Sequence, residues 1–273
     1  GLPKGVVNIV TGDGAVGEMI VAAEVDKIAF TGSTSVGRRI REATAGTGKA
    51  LTLELGGKSP QLVFDDADIE AALPFLVNAG IQNAGQTCSA SSRILVQRGV
   101  YDQVVEEMGR RYRALRVGSA ISDLDLGPLI SRRQKDIVEG YLETGNDLEM
   151  VGQGMITSAA PSKGCYVAPT LFANVPPEHV LAQEEIFGPV QVVIPFDDEA
   201  EALRIANGTQ FGLVASVWSR DGARQMRLAK KLRAGQVFLN NYGAGGGGEL
   251  PFGGSGLSGH GREKGFEGLD GFS

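Results

Sequence analysis

The chain has 273 residues, of which 42% are hydrophobic and 21% charged, a balance typical of a globular protein with one large or two modest domains. Its formal net charge of −6 gives no reason to expect nucleic acid or an anionic membrane surface as a partner. No apolar run reaches the roughly 18 residues that are needed to span a bilayer. We therefore expect neither a nucleic-acid-binding nor a membrane protein.

The two cysteines and the first residues of the chain bear on the cellular location of the protein and on its length. Cys88 and Cys165 lie far apart, with no C-x-x-C pair and no histidine cluster, so the sequence predicts neither a disulfide framework nor a metal site. A reducing, cytoplasmic location is the simplest interpretation. The chain begins with Gly1 rather than methionine and shows no signal peptide, which suggests a piece of a longer protein.

Strand-like and helix-like segments alternate along the chain, which predicts an α/β fold with a mostly parallel sheet. The predicted strands are residues 5–10, 26–30, 50–55, 61–64, 93–97, 166–172, 213–218 and 236–239. The predicted helices are residues 17–24, 38–45, 68–83, 100–117, 131–146, 198–208 and 221–234. Beyond Asn240 the glycine-rich sequence predicts a loop that lies against another part of the protein.

The turn at residues 31–37 joins a predicted strand to a helix and contains candidate N-caps. In an open parallel sheet this is where a ligand phosphate binds, because the helix N-terminus offers unpaired N–H groups. The spacing from Gly32 to Gly37 matches neither G-x-G-x-x-G nor a P-loop. On spacing alone, an ordinary strand-to-helix turn is the more frequent explanation.

A second turn, at residues 80–90, contains Cys88 among glycine, alanine, serine and threonine. Such small neighbours leave a thiolate accessible to substrate and close to backbone N–H groups. The alternative is that Cys88 is a small buried apolar residue, as free cysteines usually are. Taken alone, the turn favours the buried residue.

Four motifs occur in one order along the chain. They are Glu54-Leu-Gly-Gly-Lys58, Gly85-Gln-Thr-Cys88, Glu184-Glu-Ile-Phe-Gly-Pro189 and Pro251-Phe-Gly-Gly254. In sequence, order and separation they closely resemble the aldehyde dehydrogenase superfamily, over essentially the whole chain. The resemblance is to the C-terminal, catalytic half of that family.

The resemblance implies a division of the chain into three parts. Residues 1–56 would be the C-terminal part of a Rossmann-like NAD(P)-binding domain, and residues 57–257 an α/β catalytic domain. Residues 258–273 would return toward the cofactor domain and lead into an oligomerisation strand. We expect that the full-length protein is a homo-dimer or homo-tetramer and that the isolated chain is inactive.

The resemblance also implies the chemistry. Cys88 would attack an aldehyde carbon, NAD or NADP would take up the hydride, and Glu54 would be the base for hydrolysis of the thioester. Covalent catalysis divides the oxidation into two steps, and water needs a base to attack an acyl-enzyme. Without Cys88 as a partner, Glu54 is more simply a charge at a strand end near Lys58.

Further residues are assigned to the cofactor by resemblance alone. Ser33 would lie near the pyrophosphate, Glu185 at the nicotinamide ribose and Phe187 beside the nicotinamide ring, and Glu263 would support proton movement. The complete predicted cofactor set is Gly32, Ser33, Leu55, Gly56, Glu185 and Phe187. Ser33 as a plain N-cap and Glu185 as a surface carboxylate remain the alternatives.

Two departures from the family concern the aldehyde. Ile81-Gln82 precede Asn83 where the family often has a bulky aromatic residue, and glycines occupy residues 245–248 where it lines its substrate mouth. Together they suggest a roomy or flexible entrance, and they identify no particular aldehyde. The choice between NAD and NADP also stays open.

Two other functions compete with aldehyde oxidation. A relative that passes the acyl group to coenzyme A would use the same cysteine, but it would not need Glu54 as a hydrolytic base. A non-catalytic oligomerising protein of the same fold would not need the set of Glu54, Cys88 and Glu185. The sequence therefore favours the hydrolytic dehydrogenase.

Overall fold

A computed structural model describes residues 1–243 and 247–273. The helices are α1 (Gly14–Ala22), α2 (Thr34–Thr44), α3 (Ile69–Ile81), α4 (Tyr101–Ala114), α5 (Arg132–Glu143), α6 (Val180–Gln183), α7 (Glu199–Ala206), α8 (Gly222–Lys231) and α9 (Gly265–Asp270). The strands are β1 (Lys27–Thr31), β2 (Ala50–Glu54), β3 (Pro60–Val63), β4 (Arg93–Gln97), β5 (Arg116–Val117), β6 (Glu149–Gln153), β7 (Met155–Ile156), β8 (Thr170–Ala173), β9 (Val190–Phe196), β10 (Phe211–Gly212), β11 (Val214–Trp218), β12 (Gln236–Leu239), β13 (Ser255–Gly256) and β14 (Gly259–His260). The predicted α/β class is confirmed.

The larger sheet has seven strands in the order β12-β11-β3-β4-β9-β8-β6. Every neighbouring pair is parallel except β6 and β8, which are antiparallel. Its central strands are buried along most of their length, which is typical of parallel strands that are covered on both faces. The helices α3, α4, α7 and α8 contact this sheet, and together they form the main hydrophobic core.

A smaller sheet has the order β1-β2-β14, in which β1 and β2 are parallel and β14 is antiparallel to β2. It has its own apolar cluster of Ile28, Ile40, Leu53 and Leu55. The chain passes directly from β2 of this sheet to β3 of the larger one. Residues 52–64 are buried throughout, so the connection between the two sheets is itself an interior segment.

The helix α3 leads the chain to Cys88. Asp68 caps it, because the carboxylate accepts a hydrogen bond of 3.1 Å from the Ala71 N–H. Pro74 lies inside the helix and removes one backbone donor. The helix buries an apolar face against the larger sheet and ends at Ile81, so that residues 82–90 form a loop at its C-terminus.

Several predicted elements differ from those observed. Residues 5–10 form no strand, and apolar side chains such as Ile9 are exposed, because no neighbouring strand in the described chain pairs with them. The strand predicted at residues 166–172 begins only at Thr170 and ends at Ala173, so residues 166–169 lie outside it. The strands β6 and β9 were absent from the prediction. No helix in the described residues is long and apolar enough to cross a bilayer.

Candidate functional site

The buried connection between the two sheets brings the predicted site residues together. Leu55 packs against α2 at Gly37, and a Cβ atom built on Gly56 would overlap the Glu185 carboxylate. A Cβ atom built on Gly57 would overlap the Cys88 carbonyl oxygen. The two glycines are therefore required for close approach, and residues 55–57 contact the helix α2, Glu185 and the cysteine loop in turn.

Glu54 ends strand β2 and is 2% exposed. Neither carboxylate oxygen has a hydrogen-bond partner in the described residues, and the glycine backbone at Gly253 approaches so closely that a Cβ there would lie 2.8 Å from Oε1. Burial raises the pKa of Glu54 to about 8, with a further rise from the charge of Glu263 and opposing contributions from Arg262 and Lys264. An unpartnered buried carboxylate with a raised pKa is a candidate catalytic acid or base.

Cys88 lies in the loop after α3 and is partly buried. Burial raises the pKa of the Cys88 thiol, and the charges of Glu185 and Glu54 raise it further. Both carboxylates therefore lie within electrostatic range of the sulfur. The backbone N–H groups of Cys88 and Ser89 contribute in the opposite direction, because they face the sulfur and favour the thiolate.

Glu185 and Phe187 belong to the turn between α6 and β9. The Gly57 N–H donates a hydrogen bond of 3.0 Å to Oε1 of Glu185. Burial raises the pKa of Glu185, while the Gly57 N–H and the Lys58 charge lower it. Phe187 has a positive φ of 55° and is 37% exposed. Together with Thr87 from the cysteine loop, these residues line a cavity of about 10 Å³.

Gly32 and Ser33 directly follow the strand β1, next to Glu54. The Gly32 N–H donates a hydrogen bond of 3.0 Å to the Glu54 carbonyl oxygen. The Ser33 hydroxyl accepts a hydrogen bond of 3.4 Å from the Val36 N–H and caps α2, which confirms an N-cap at this position. The α2 N-terminus thus adjoins the same buried connection as Glu54.

Glu263 lies in the segment that follows the strand β14. Its backbone exchanges two hydrogen bonds of 2.7 Å with Phe252, and the preceding strand β14 pairs with Glu54 and Leu53 of β2. The Leu55 N–H donates a hydrogen bond of 3.0 Å to the Ser258 carbonyl oxygen. Glu263 therefore lies near Glu54, whose pKa its charge raises.

A groove of about 440 Å³ lies beside the cysteine loop. Its lining includes Phe75, Asn78, Gln82, Ser89, Asp125 and Tyr242. The sequence suggested a roomy entrance at Gln82 and at the glycines 245–248; Gln82 does line the groove, but residues 245 and 246 lie outside the described part of the chain. In the described ranges, no cluster of His, Cys, Asp or Glu is placed to hold a metal ion.

The family follows from a comparison with known proteins. A model of the aldehyde dehydrogenase family matches residues 1–273. The chain belongs to the aldehyde dehydrogenase family. The match to the complete chain confirms the resemblance on which the predicted site residues depend.

Individual aldehyde dehydrogenases are similar to this chain in sequence and structure. A betaine aldehyde dehydrogenase from Sinorhizobium fredii is 41% identical over 268 residues, covering 97% of this chain and 55% of that protein. An NAD+ complex of an aldehyde dehydrogenase from Bacillus cereus is 40% identical, with a TM-score of 0.94, and covers 100% of this chain and 56% of that one.

A Burkholderia cenocepacia protein, whose own assignment as an aldehyde dehydrogenase is provisional, is 55% identical with a TM-score of 0.97 over 100% of this chain and 58% of that one. The chain therefore spans a little more than half the length of these relatives.

Two buried cations of the chain, Lys58 and Arg93, were not identified from the sequence. Lys58 is 2% exposed and its Nζ atom has no hydrogen-bond partner in the described residues. Burial lowers the pKa of Lys58 to about 7, and the nearby Arg93 lowers it as well. Arg93 is 1% exposed and donates three hydrogen bonds to the Lys58, Ile205 and Ala206 carbonyl oxygens. The sequence did contain one signal for the burial of Lys58. This lysine lies between the Gly56-Gly57 pair and the buried strand β3, and a connection of this kind runs through the interior.

Proposed function

We propose that the protein oxidises an aldehyde to a carboxylic acid with NAD or NADP, with Cys88 as nucleophile and Glu54 as general base. The observation that carries this proposal is the convergence of Glu54, Glu185 and Cys88 on one buried segment, in which the Glu54 carboxylate has no hydrogen-bond partner among the described residues. A carboxylate that is left without a partner in the interior is available for a proton.

The first step forms a covalent bond. The Cys88 thiolate attacks the aldehyde carbon, and the carbonyl oxygen takes up a proton to give a thiohemiacetal. Backbone N–H groups at residues 88 and 89 lie near the sulfur, and we propose that they stabilise the negative charge that develops on the aldehyde oxygen. The neutral thiol is favoured by burial, so proton removal from Cys88 must accompany or precede the attack.

The second half of the reaction releases the acid. The thiohemiacetal carbon would lose its hydride to a nicotinamide held at this site and its hydroxyl group would lose the proton to solvent, so that a thioester would remain on Cys88. Glu54 removes a proton from water as the water attacks that thioester, and the thiol is then released with a carboxylic acid. A pKa of about 8 suits this role, because a base is most effective when its pKa lies near the working pH.

The residues present fit a nicotinamide cofactor. Glu185 offers a carboxylate that could accept hydrogen bonds from a diol, the Gly57 N–H holds that carboxylate in place, and Phe187 exposes an aromatic ring. Ser33 begins a helix whose N-terminus attracts phosphate. We assign Gly32, Ser33, Leu55, Gly56, Glu185 and Phe187 to this cofactor, with Glu263 in a supporting role.

The natural protein that carries this sequence provides the test. NADH or NADPH formation is measured with aliphatic and aromatic aldehydes, with and without coenzyme A. Aldehyde-dependent formation without coenzyme A supports the proposal, whereas a strict requirement for coenzyme A supports the acyl-transferring alternative. No activity with any aldehyde favours the non-catalytic, oligomerising alternative, and size determination in solution tests the proposed homo-dimer or homo-tetramer.

The assay is also made with the 273-residue chain by itself. Because the chain spans about 55% of a curated relative, its inactivity in isolation stays a prediction. The division at residues 56 and 257 likewise stays a proposal, and separate expression of residues 57–257 followed by a cooperative melt would test it.

We expect the hydrolysis of the acyl-enzyme to accelerate as the pH rises. With a pKa of about 8, Glu54 is mostly protonated at pH 7 and mostly ionised at pH 9. The deacylation rate should therefore rise about tenfold between these pH values, because the ionised fraction of Glu54 rises from about one tenth to about nine tenths. Single-turnover release of the acid from a preformed acyl-enzyme measures this rate, and a profile that is flat between pH 7 and 9 contradicts the assignment of Glu54.

The groove beside the cysteine loop predicts a charge preference. We place the aldehyde in this groove, where Asp125 is the charged residue of the described lining. Its carboxylate also accepts a hydrogen bond of 2.8 Å from the Arg116 N–H. An aldehyde with a carboxylate should have a kcat/KM about fivefold below that of a neutral aldehyde of the same length. Two like charges that are about 4 Å apart in water repel each other by about 1 kcal/mol.

The Asp125→Asn variant tests this preference. It should reduce the difference between the two aldehydes to less than about twofold. Asp123→Asn is the matched control, because Asp123 lies in the same loop but does not line the groove. If Asp123→Asn and Asp125→Asn change the ratio equally, the groove is not the path of the aldehyde.

A further inference from the structure

The loop that carries Cys88 is closed at a narrow neck. The helix α3 enters the loop and the chain leaves it at Ser91, shortly before β4. At the neck, the Ser91 N–H donates a hydrogen bond of 3.0 Å to the Ala79 carbonyl oxygen. The placement of the sulfur therefore depends on how the two arms of the loop, the helix end and the return segment, are held relative to each other.

A single buried amide contacts both arms. The Nε2 atom of Gln191, on β9, donates a hydrogen bond of 2.9 Å to the Leu76 carbonyl oxygen and a second one to the Ser91 carbonyl oxygen. Its Oε1 atom accepts a hydrogen bond from the Tyr112 hydroxyl group. Gln191 and Tyr112 are both 0% exposed, so water does not compete for these bonds.

The fit around this amide is close. A Cβ atom built on Gly80 would overlap the amide carbon of Gln191, so α3 reaches the amide only because residue 80 has no side chain. The Tyr112 hydroxyl fixes which amide atom is the acceptor, and the nitrogen is thereby directed to the two carbonyl groups. The side chain is held at every polar atom.

The loop itself has a backbone that needs external support. Asn83, Ala84 and Gly85 have positive φ values of 52°, 53° and 75°. A left-handed conformation costs an L-residue such as Ala84 roughly 1–2 kcal/mol, and it persists where the surrounding structure holds it in place. The neck at residues 79 and 91 is one such constraint, and the Gln191 amide braces it.

We propose that Gln191 is a positioning residue for Cys88: its amide nitrogen ties both arms of the cysteine loop and so sets where the sulfur lies. This inference rests on the proposed function in that a displaced sulfur should impair turnover. Its structural part, control of the Cys88 environment, does not depend on any reaction. Tyr112 takes part by orienting the amide.

A second buried glutamine separates this role from simple packing. Gln61, on β3, is also 0% exposed; its Oε1 atom accepts a hydrogen bond of 2.9 Å from the Trp218 ring N–H. Its Nε2 atom donates one of 3.3 Å to the Phe75 carbonyl oxygen. Gln61 thus bonds the same helix as Gln191 but makes no hydrogen bond to the return segment. It is the matched control.

The experiment compares Gln191→Met with Gln61→Met in the natural protein. The rate at which iodoacetamide alkylates Cys88 is followed by peptide mass spectrometry across pH, with kcat, KM and thermal melts measured beside it. In Gln191→Met we expect the rate of Cys88 alkylation at pH 7.5 to rise about threefold or more. Burial disfavours the Cys88 thiolate, and a loosened loop would expose the sulfur to solvent and reagent. The kcat should fall about tenfold with KM nearly unchanged, because the attack geometry is lost.

Gln61→Met should leave both the alkylation profile and kcat within about twofold of wild type, even if it lowers the melting temperature equally. Equal effects of the two substitutions on alkylation overturn the proposal.

If Gln191→Met does not fold, Tyr112→Phe removes only the orienting hydroxyl and should shift alkylation in the same direction. An unchanged alkylation profile in Tyr112→Phe then overturns the proposal. Changed alkylation in a protein without any aldehyde activity would instead refute the proposed function and leave the loop support standing.

Discussion

Replacement of Cys88 by alanine is expected to lower aldehyde-dependent NADH formation by about four orders of magnitude or more, as loss of a covalent nucleophile does in other enzymes. The reason is that the neighbouring side chains of the loop, such as Thr87 and Ser89, offer only hydroxyl groups, which are much weaker nucleophiles than a thiolate when no adjacent base activates them. The loss should appear in kcat, and steady-state absorbance at 340 nm measures it.

Cys165→Ala is the matched control for this substitution. Cys165 is the second free cysteine and is likewise partly buried, but it precedes β8 and packs against the main core away from residues 54–57. It should keep the activity of wild type within about twofold. Comparable activity of Cys88→Ala and Cys165→Ala would remove Cys88 from the mechanism.

Replacement of Glu54 by glutamine should block the second half of the reaction and spare the first. Loss of a general base costs about 10²- to 10⁴-fold, so kcat should fall by that factor. The first turnover should still produce NADH in a burst that approaches one equivalent per site, because Cys88 can form the thioester without a hydrolytic base. Rapid-mixing absorbance separates the burst from the slow steady state.

A surface carboxylate provides the control for Glu54→Gln. Glu178 is exposed and takes part in none of the ion pairs of the described residues, so Glu178→Gln removes the same charge without touching the site. It should show neither a burst nor a loss of kcat. A Glu54→Gln enzyme that turns over at the wild-type rate would show that another group activates the water.

The predicted site rested on short motifs, and the structure shows how closely the residues of the first motif are constrained. Glu54, Leu55, Gly56 and Gly57 are consecutive, and each contacts a different part of the protein, so their spacing has little freedom. Cys88 was singled out by the resemblance of its motif to the family, because its turn alone favoured a buried residue; the start of the preceding helix could be predicted from the cap at Asp68. Local signals of this kind are visible in a single sequence.

The features that were missed depend on contacts between distant residues. The strand β9 reads as an apolar run interrupted by Gln191, and nothing near it in the sequence shows that this amide reaches Leu76 and Ser91. The strand predicted at residues 5–10 has the right composition but no partner in the described chain, and pairing rather than composition makes a strand. Side-chain amide bonds and strand pairing are both long-range properties.

The most direct test of the account is the mass of the Glu54→Gln protein after reaction with an aldehyde and NAD+. Intact-protein and peptide mass spectrometry should show one acyl group, attached to Cys88 as a thioester that hydroxylamine removes. The wild-type protein under the same conditions should be almost free of the acyl group, since Glu54 would promote its hydrolysis. An acyl group on another residue, or none in Glu54→Gln despite the formation of NADH, would contradict the assignment of Cys88 as nucleophile and Glu54 as base.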